Sequence, residues 1–236
     1  MELKQLAALH ALEYVQDGMR LGLGTGSTAR LFIAALGQRW RDGAYRDLRC
    51  VPTSKETAQQ VVSLGLPLIT LTELQAANYP PVLDLAVDGA DEVDPDLNLI
   101  KGLGKAALRE KIIEMHALRF IVIVDESKLV PRLGRGALPV ELIPFEAEVS
   151  VRWLEGLGCR AELWRDDAGR PFETDNHNWL ARCWFSQGIA DPVSLVRRLA
   201  DQPGIVEHGL FLGMATDVIV ARQNGVEVIT KNVKTF

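Results

Sequence analysis

Short apolar runs alternate with helical patterns along the first half of the chain, and this alternation constrains the fold more than any other feature. LKQLAALHALEYV carries its apolar residues at helical spacing, and MRLGLG is a strand that feeds the helix TGSTARLFIAALG. LRCVPT, LPLIT, DLAVDGA and RFIVIVDES are further strands; the helices among them are SKETAQQVVSLG, closed by Gly65, and AALREKIIEMHAL. Strands separated by helices pair in parallel, because a parallel crossover needs a dozen or more residues. The expectation is an α/β protein with a Rossmann-like, mostly parallel sheet and helices on both faces. Ligands of such sheets bind beyond the carboxyl ends of the strands.

The pattern changes at the Gly/Pro-rich segment LVPRLGRGALP, residues 129–139. After it come a strand (LPVELI), a helix (FEAEVSVRWLEGLG), two strands (RAELWRD, NWLARCWF), a helix (DPVSLVRRLADQPG, with Asp191 as N-cap and Pro192 in its first turn) and the strand GIVEHGLFL. This β-α-β-β-α-β order is that of a ferredoxin-like α+β unit inserted into the larger domain. DVIVAR and VEVIT are two closing strands that return to the first sheet. The domains expected are therefore 1–130 with 206–236, Rossmann-like, and 131–205, ferredoxin-like.

Composition narrows the function. The formal net charge is −5 and Lys and Arg are scattered, which speaks against nucleic acid or an anionic membrane as partner. An anionic ligand then needs a local set of donors. Cys50, Cys159 and Cys183 lie far apart, so a reducing cytoplasm fits better than a disulfide framework. The opening MELKQLAALHALEY reads as a first helix and not a signal peptide, and no run of about 18 apolar residues suggests a membrane span.

GLGTGSTA, residues 22–29, joins a strand to a helix, where backbone N–H groups and the helix dipole can hold an anion. A dinucleotide fingerprint would need glycine where Ser27 stands, and a nucleotide P-loop would need a lysine that is absent. Either a capped turn or a cradle for one phosphate remains, and the four small donors around Thr25, Gly26, Ser27 and Thr28 favour the phosphate.

VDGADEVDPDLNLIKGLGKAALREK, residues 87–111, places five carboxylates within nine residues: Asp88, Asp91, Glu92, Asp94 and Asp96. A calcium loop counted from Asp94 fails, because its sixth and twelfth places hold Leu99 and Lys105. The histidines at 10, 116, 177 and 208 show no metal-ligand spacing either. As acid-base machinery, the stretch places Asp88 and Asp91 at a strand end, Lys101 in a glycine-flanked loop and Glu110 in the next helix. A sugar-phosphate isomerase needs such a base, a donor set for enediolate oxygens and a phosphate anchor. Glu92, Asp94 and Asp96 read as a solvated turn. On chemistry alone, Glu110 between Arg109 and Lys111 is better read as a helix-surface ion pair.

GLGTGSTA, VDGADE, IKGLGKAALREKI, IVDESK, LPVELIPF, TDN and PGIVEHGLF, in that order, resemble the ribose-5-phosphate isomerases of the A type along essentially the whole chain. The resemblance implies interconversion of ribose 5-phosphate and ribulose 5-phosphate in the non-oxidative pentose phosphate pathway, with neither metal nor organic cofactor. It implies Glu110 as the base moving a proton between C1 and C2, Asp88 as an aid to ring opening and Asp91 as a hydroxyl-positioning group. Lys101 and the N–H groups of Gly102, Leu103 and Gly104 would stabilise the enediolate. Thr25, Gly26, Ser27 and Thr28 match the substrate loop, Gly89 and Ala90 lie in the matching DGAD turn, and Lys128 and Lys4 match substrate-side lysines. Two departures stand out: Leu103 and Lys105 occupy places where the family often has glycine, or glycine and alanine.

Two other classes fit part of the pattern. A sugar-phosphate sensor would need a DNA-binding module ahead of the sheet, and only one helix precedes the glycine loop. A coenzyme A transferase would explain the glutamate but not a single-phosphate loop. The tryptophans at 40, 153, 164, 179 and 184 lie mainly in the insert, where core or subunit contact accounts for them, and His177 reads as a surface residue. The insert's sheet is expected to build a homo-oligomer, a dimer first and a tetramer second.

Overall fold

The computed structural model of the chain describes residues 2–74 and 82–231; residues 232–236, which end the expected first domain, lie outside the described residues. The elements begin with α1 (Leu3–Ala11), β1 (Arg20–Leu23), α2 (Ser27–Arg41), β2 (Arg49–Pro52), α3 (Lys55–Ser63), β3 (Leu83–Asp88), β4 (Glu92–Val93) and β5 (Leu99–Ile100). They continue with α4 (Ala107–Glu114), β6 (Ala117–Asp125), β7 (Ala137–Leu142), α5 (Ala147–Glu155), β8 (Arg160–Leu163) and β9 (Trp179–Trp184). The chain closes with α6 (Pro192–Ala200), β10 (Ile205–His208), β11 (Leu210–Phe211), β12 (Asp217–Arg222) and β13 (Gly225–Thr230).

Two compact units result. The first comprises Met1–Ala90, Arg109–Lys128 and Met214–Phe236; the second comprises Asp91–Leu108 and Leu129–Gly213. The boundaries expected from sequence differ, because they kept 91–108 and 206–213 with the parallel sheet. Backbone pairing explains the difference: β4, β5 and β11 form a three-stranded sheet of their own in the second unit.

The first unit holds a six-stranded sheet in the order β13-β12-β6-β3-β1-β2, parallel except for the β12–β13 hairpin. Its near-continuous apolar strands are those of a sheet covered on both faces. Leu21, Leu23, Leu85, Val87, Ile121 and Ile123 pack with Phe32, Ile33 and Leu36 of α2 and with α1. Ile113 of α4 packs with Val51 and Leu83. Removing a fully buried ring such as Phe32 would cost about 3–5 kcal/mol. At α3 the Ser54 hydroxyl accepts from the Thr57 N–H, a side-chain N-cap that fixes where the helix starts.

The second unit holds a four-stranded antiparallel sheet in the order β10-β7-β9-β8. Counted within the β-α-β-β-α-β run, that order is fourth-first-third-second, the ferredoxin-like arrangement. Leu138, Val140, Leu142, Leu154, Leu195 and Leu199 form its core. Asp191 caps α6 by accepting from the Ser194 N–H, with Pro192 in the first turn.

Three elements differ from expectation. LPLIT makes a single bridge, Leu68 to Cys50, because Pro67 has no N–H and Leu68 is exposed. α4 ends at Glu114, and its expected last residues, 117 and 118, instead open β6. GIVEHGLFL breaks at Gly209 into β10, which pairs β7, and β11, which pairs β5. A side chain at 209 would stand 2.2 Å from the Lys101 carbonyl oxygen, so only glycine lets one stretch serve two sheets.

Candidate active site

In the first unit the turn after β1 is three residues long, Gly24 to Gly26. Gly26 has φ 109°, a conformation that glycine alone adopts without strain, and it serves as N-cap of α2. Gly24 is required for a different reason. A Cβ there would lie 2.0 Å from Asp88 Oδ1. Asp88 ends β3, beside β1, and is 1% exposed. Its Oδ1 accepts from the Thr25 N–H (3.0 Å) and from its neighbour Gly89 N–H (2.7 Å). Such charge-assisted bonds hold a buried carboxylate in one orientation.

Thr25 is held by its hydroxyl as well, 2.7 Å from Thr53 Oγ1, 2.9 Å from Ser54 Oγ and 3.1 Å from Thr57 Oγ1. Thr57 in turn donates to the Gly24 carbonyl. Thr25 thus serves the turn with both its donors, which differs from the direct substrate donor that the sequence suggested. The VPTSKET segment holds the signal for this, with hydroxyls at 53, 54 and 57 directly after a strand.

The N-terminus of α2 offers donors that could receive an anion. The first N–H groups of a helix have no carbonyl a turn behind them to receive them, and here they belong to Ser27, Thr28 and Ala29. Lys4 of α1 donates from Nζ to Ser27 Oγ at 3.0 Å, across 23 residues of sequence. Lys128 closes the 3-10 turn Glu126–Lys128 after β6. Burial opposes ionisation of Asp125, but hydrogen bonds from Ser127 and the charges of Lys128 and Lys4 outweigh it and hold its carboxyl below the ordinary range. One carboxylate thus feels both lysines that the sequence assigned to the substrate. Asp125 was not anticipated from the sequence.

Glu110 lies on α4 and is 2% exposed, despite Arg109 and Lys111 on either side. Glu110 is therefore buried and not the surface residue that its charged neighbours suggest.

The second unit carries the other group of residues. Asp91 donates its N–H to the Ile100 carbonyl, and its Oδ2 accepts from the Leu103 N–H at 2.9 Å. The Leu103 N–H is therefore committed to Asp91, which differs from the three-donor set implied by the sequence. Lys101, 2% exposed, donates its N–H to the Gly209 carbonyl, and its Nζ lies 5.5 Å from the centre of the Phe211 ring. Gly102 has φ 98°, and the Lys105 N–H donates back to its carbonyl at 2.9 Å, closing a turn over Gly102–Lys105. Leu103 takes an ordinary backbone conformation. Lys105 does not: its φ is 70°, which costs a non-glycine residue about 1–2 kcal/mol.

The acidic stretch divides differently from expectation. Glu92 is no solvated turn residue: it is 3% exposed and accepts from the N–H groups of Gly134 (2.7 Å), Arg135 and Gly136. Asp94 folds its own turn, accepting from the N–H groups of Asp96 and Asn98. Only Asp96 is exposed. The TDN segment is likewise structural, with Thr174, Asn176 and Asn178 all donating to buried Glu141. Among the described residues no group of three or more His, Cys, Asp or Glu side chains is placed to hold a metal ion.

A mostly parallel sheet with a glycine turn opening a helix and buried acids at 88 and 110, together with a ferredoxin-like α+β unit, places the chain in the class of α/β proteins with an inserted α+β unit. Comparison with known proteins narrows the class. The family model for ribose 5-phosphate isomerase A (phosphoriboisomerase A) matches residues 49–225. Ribose-5-phosphate isomerase A of Roseiflexus sp. (strain RS-1) is 48% identical over 224 residues, 94% of this chain and 93% of that one. The structure of ribose 5-phosphate isomerase A from Methanocaldococcus jannaschii superposes with a TM-score of 0.89 at 40% identity, covering 97% of this chain and 98% of that one. A D-ribose-5-phosphate isomerase in complex with phospho-erythronic acid superposes with a TM-score of 0.90 at 38% identity and 97% coverage of both chains. The chain belongs to the ribose 5-phosphate isomerase A family.

Proposed function

We propose that this chain interconverts D-ribose 5-phosphate and D-ribulose 5-phosphate through an enediolate. The observation that carries the reading is the burial of Glu110 and Asp88 in a unit whose α2 N-terminus receives Lys4 at Ser27. Ser27 and Thr28, with the N–H groups of the helix start, take the phosphate, and Lys4 and Lys128 balance its charge. Asp88 assists opening of the furanose ring. Glu110 then removes the proton from C2 of the aldose and returns it to C1, while the hydroxyl proton on O2 moves to O1. Charge on the enediolate oxygens is met by the Lys101 ammonium and by the N–H groups of Gly102 and Gly104. Asp91 orients substrate hydroxyls and holds the loop through Leu103. An acid-base group of this kind is worth roughly 10²–10⁴ in rate, and each oxyanion donor on the order of 10²–10³.

Glu110→Gln tests the central role. It should lower kcat by about 10²–10⁴ and leave KM within a few-fold, followed by absorbance with ribose 5-phosphate in EDTA; retained turnover would remove Glu110 from the mechanism. The second unit also supplies the contact of a homodimer in this reading, supported by Phe145 at 77% exposure and Val149 at 49%. A cytoplasmic setting is supported by Cys50, Cys159 and Cys183, all buried thiols.

A further inference from the structure

The Lys101–Lys105 turn touches an array of charges and rings on the small sheet. β8 and β9 are antiparallel neighbours, with Arg160 opposite Trp184 and Glu162 opposite Arg182. The Arg160 guanidinium lies 3.8 Å from the centre of the Trp184 ring, and the Arg182 guanidinium lies 5.2 Å from Trp184 and 5.0 Å from Trp164. Glu162 accepts from both arginines. At the end of the row stands Lys105, its Nζ 5.2 Å from the Trp164 ring and 4.0 Å from the Phe172 ring. Cations and rings therefore alternate across the face: Arg160, Trp184, Arg182, Trp164, Lys105, Phe172. Each contact is within the range in which the negative face of a ring attracts a cation. The backbones of Trp164 and Phe172 are tied together, because the Phe172 N–H donates to the Trp164 carbonyl and the Trp164 N–H to that of Leu180.

We propose that Lys105 is a positioning residue for catalysis: held by the rings of Phe172 and Trp164, it sets the turn whose Gly102 and Gly104 N–H groups face the enediolate. Two observations support this. The turn is pinned at one point by Asp91 on the Leu103 N–H and at the other by the Lys105 side chain, and residue 105 keeps φ 70° although it is not glycine. A lysine is retained at a site that favours glycine, so its side chain has a use that glycine lacks. The inference rests on the enediolate reading of this turn.

The test compares Lys105→Met, Lys105→Gly, Lys105→Arg, Phe172→Leu and the Lys105→Met/Phe172→Leu pair, by kcat, KM, the inhibition constant of phospho-erythronic acid and thermal midpoint. A loosened oxyanion loop costs up to about 10²-fold, so Lys105→Met should lose roughly 10-fold in kcat with KM within about 2-fold. Lys105→Gly should lose as much without a lower thermal midpoint, because glycine suits the backbone there. Lys105→Arg, which keeps a cation on the rings, should stay within about 3-fold of wild type. The pair should be no worse than the poorer single variant, as expected when two groups act as one unit. Wild-type kcat in Lys105→Met and Lys105→Gly would overturn the proposal while leaving the isomerase reading intact, as would multiplicative losses in the pair. A wild-type chain that fails to turn over ribose 5-phosphate would overturn both.

Discussion

At Gly24 a methyl group would stand 2.0 Å from Asp88 Oδ1 and 2.1 Å from its carboxyl carbon, so either the turn or the carboxylate has to move. Gly24→Ala is expected to cost about 1–3 kcal/mol through overpacking and to lower kcat together with the thermal midpoint, read by melting and by turnover of ribose 5-phosphate. A variant that keeps both would show that Asp88 has room the structure does not show. Residue identity was legible in the sequence here, since GLGTG and VDGAD each signal a tight turn. Their meeting was not, because it depends on β1 and β3 lying side by side across about sixty residues of chain. The same limit applies to Glu110. Between Arg109 and Lys111 it has the sequence signature of a surface residue, and its burial depends on where α4 settles.

Among the elements, β6, β12 and β13 are tied at one end by buried Asp217. It accepts from Arg119 (2.7 Å), Thr216 (2.8 Å) and Thr230 (2.8 Å). Burial disfavours its charge, but the bonds from Arg119 and the two threonines prevail and its carboxyl lies below the ordinary range. A carboxyl held low in the fold stabilises it fully above the ordinary carboxylate range and loses that contribution as pH falls through its folded value. Asp217→Asn should therefore cost about 1–3 kcal/mol near neutrality, discounted for the half-exposed Arg119, and the gap to wild type should close below about pH 4. Thermal midpoints across pH 3–7 read this, and a pH-independent gap would refute it. Element identity was largely legible from the sequence, because strands buried on both faces and helices with one apolar face leave different periodicities. What escaped were short pieces defined by pairing alone, β4 and β5, and the break in GIVEHGLFL, which needs a second sheet close to Gly209.

On the scale of the whole molecule, Phe145, 77% exposed near the start of α5, is the most exposed large apolar side chain among the described residues. Two copies of the 26.0 kDa chain should sediment at about 52 kDa, and Phe145→Ser should shift the mass towards a single chain. A wild-type monomer at micromolar concentration would exclude the dimer. The split of one stretch into β10 and β11 has a further consequence. The Lys101 N–H is a rung on Gly209, and the Gly209 N–H is a rung on Pro139, so the backbone leading into the Gly102 turn is held by main-chain bonds from both small sheets. Such bonds carry no net charge and do not titrate. If the turn meets a developing oxyanion as proposed, its dipoles are aligned before any substrate arrives, and the reaction has little reorganisation energy to supply on that side at any ionic strength.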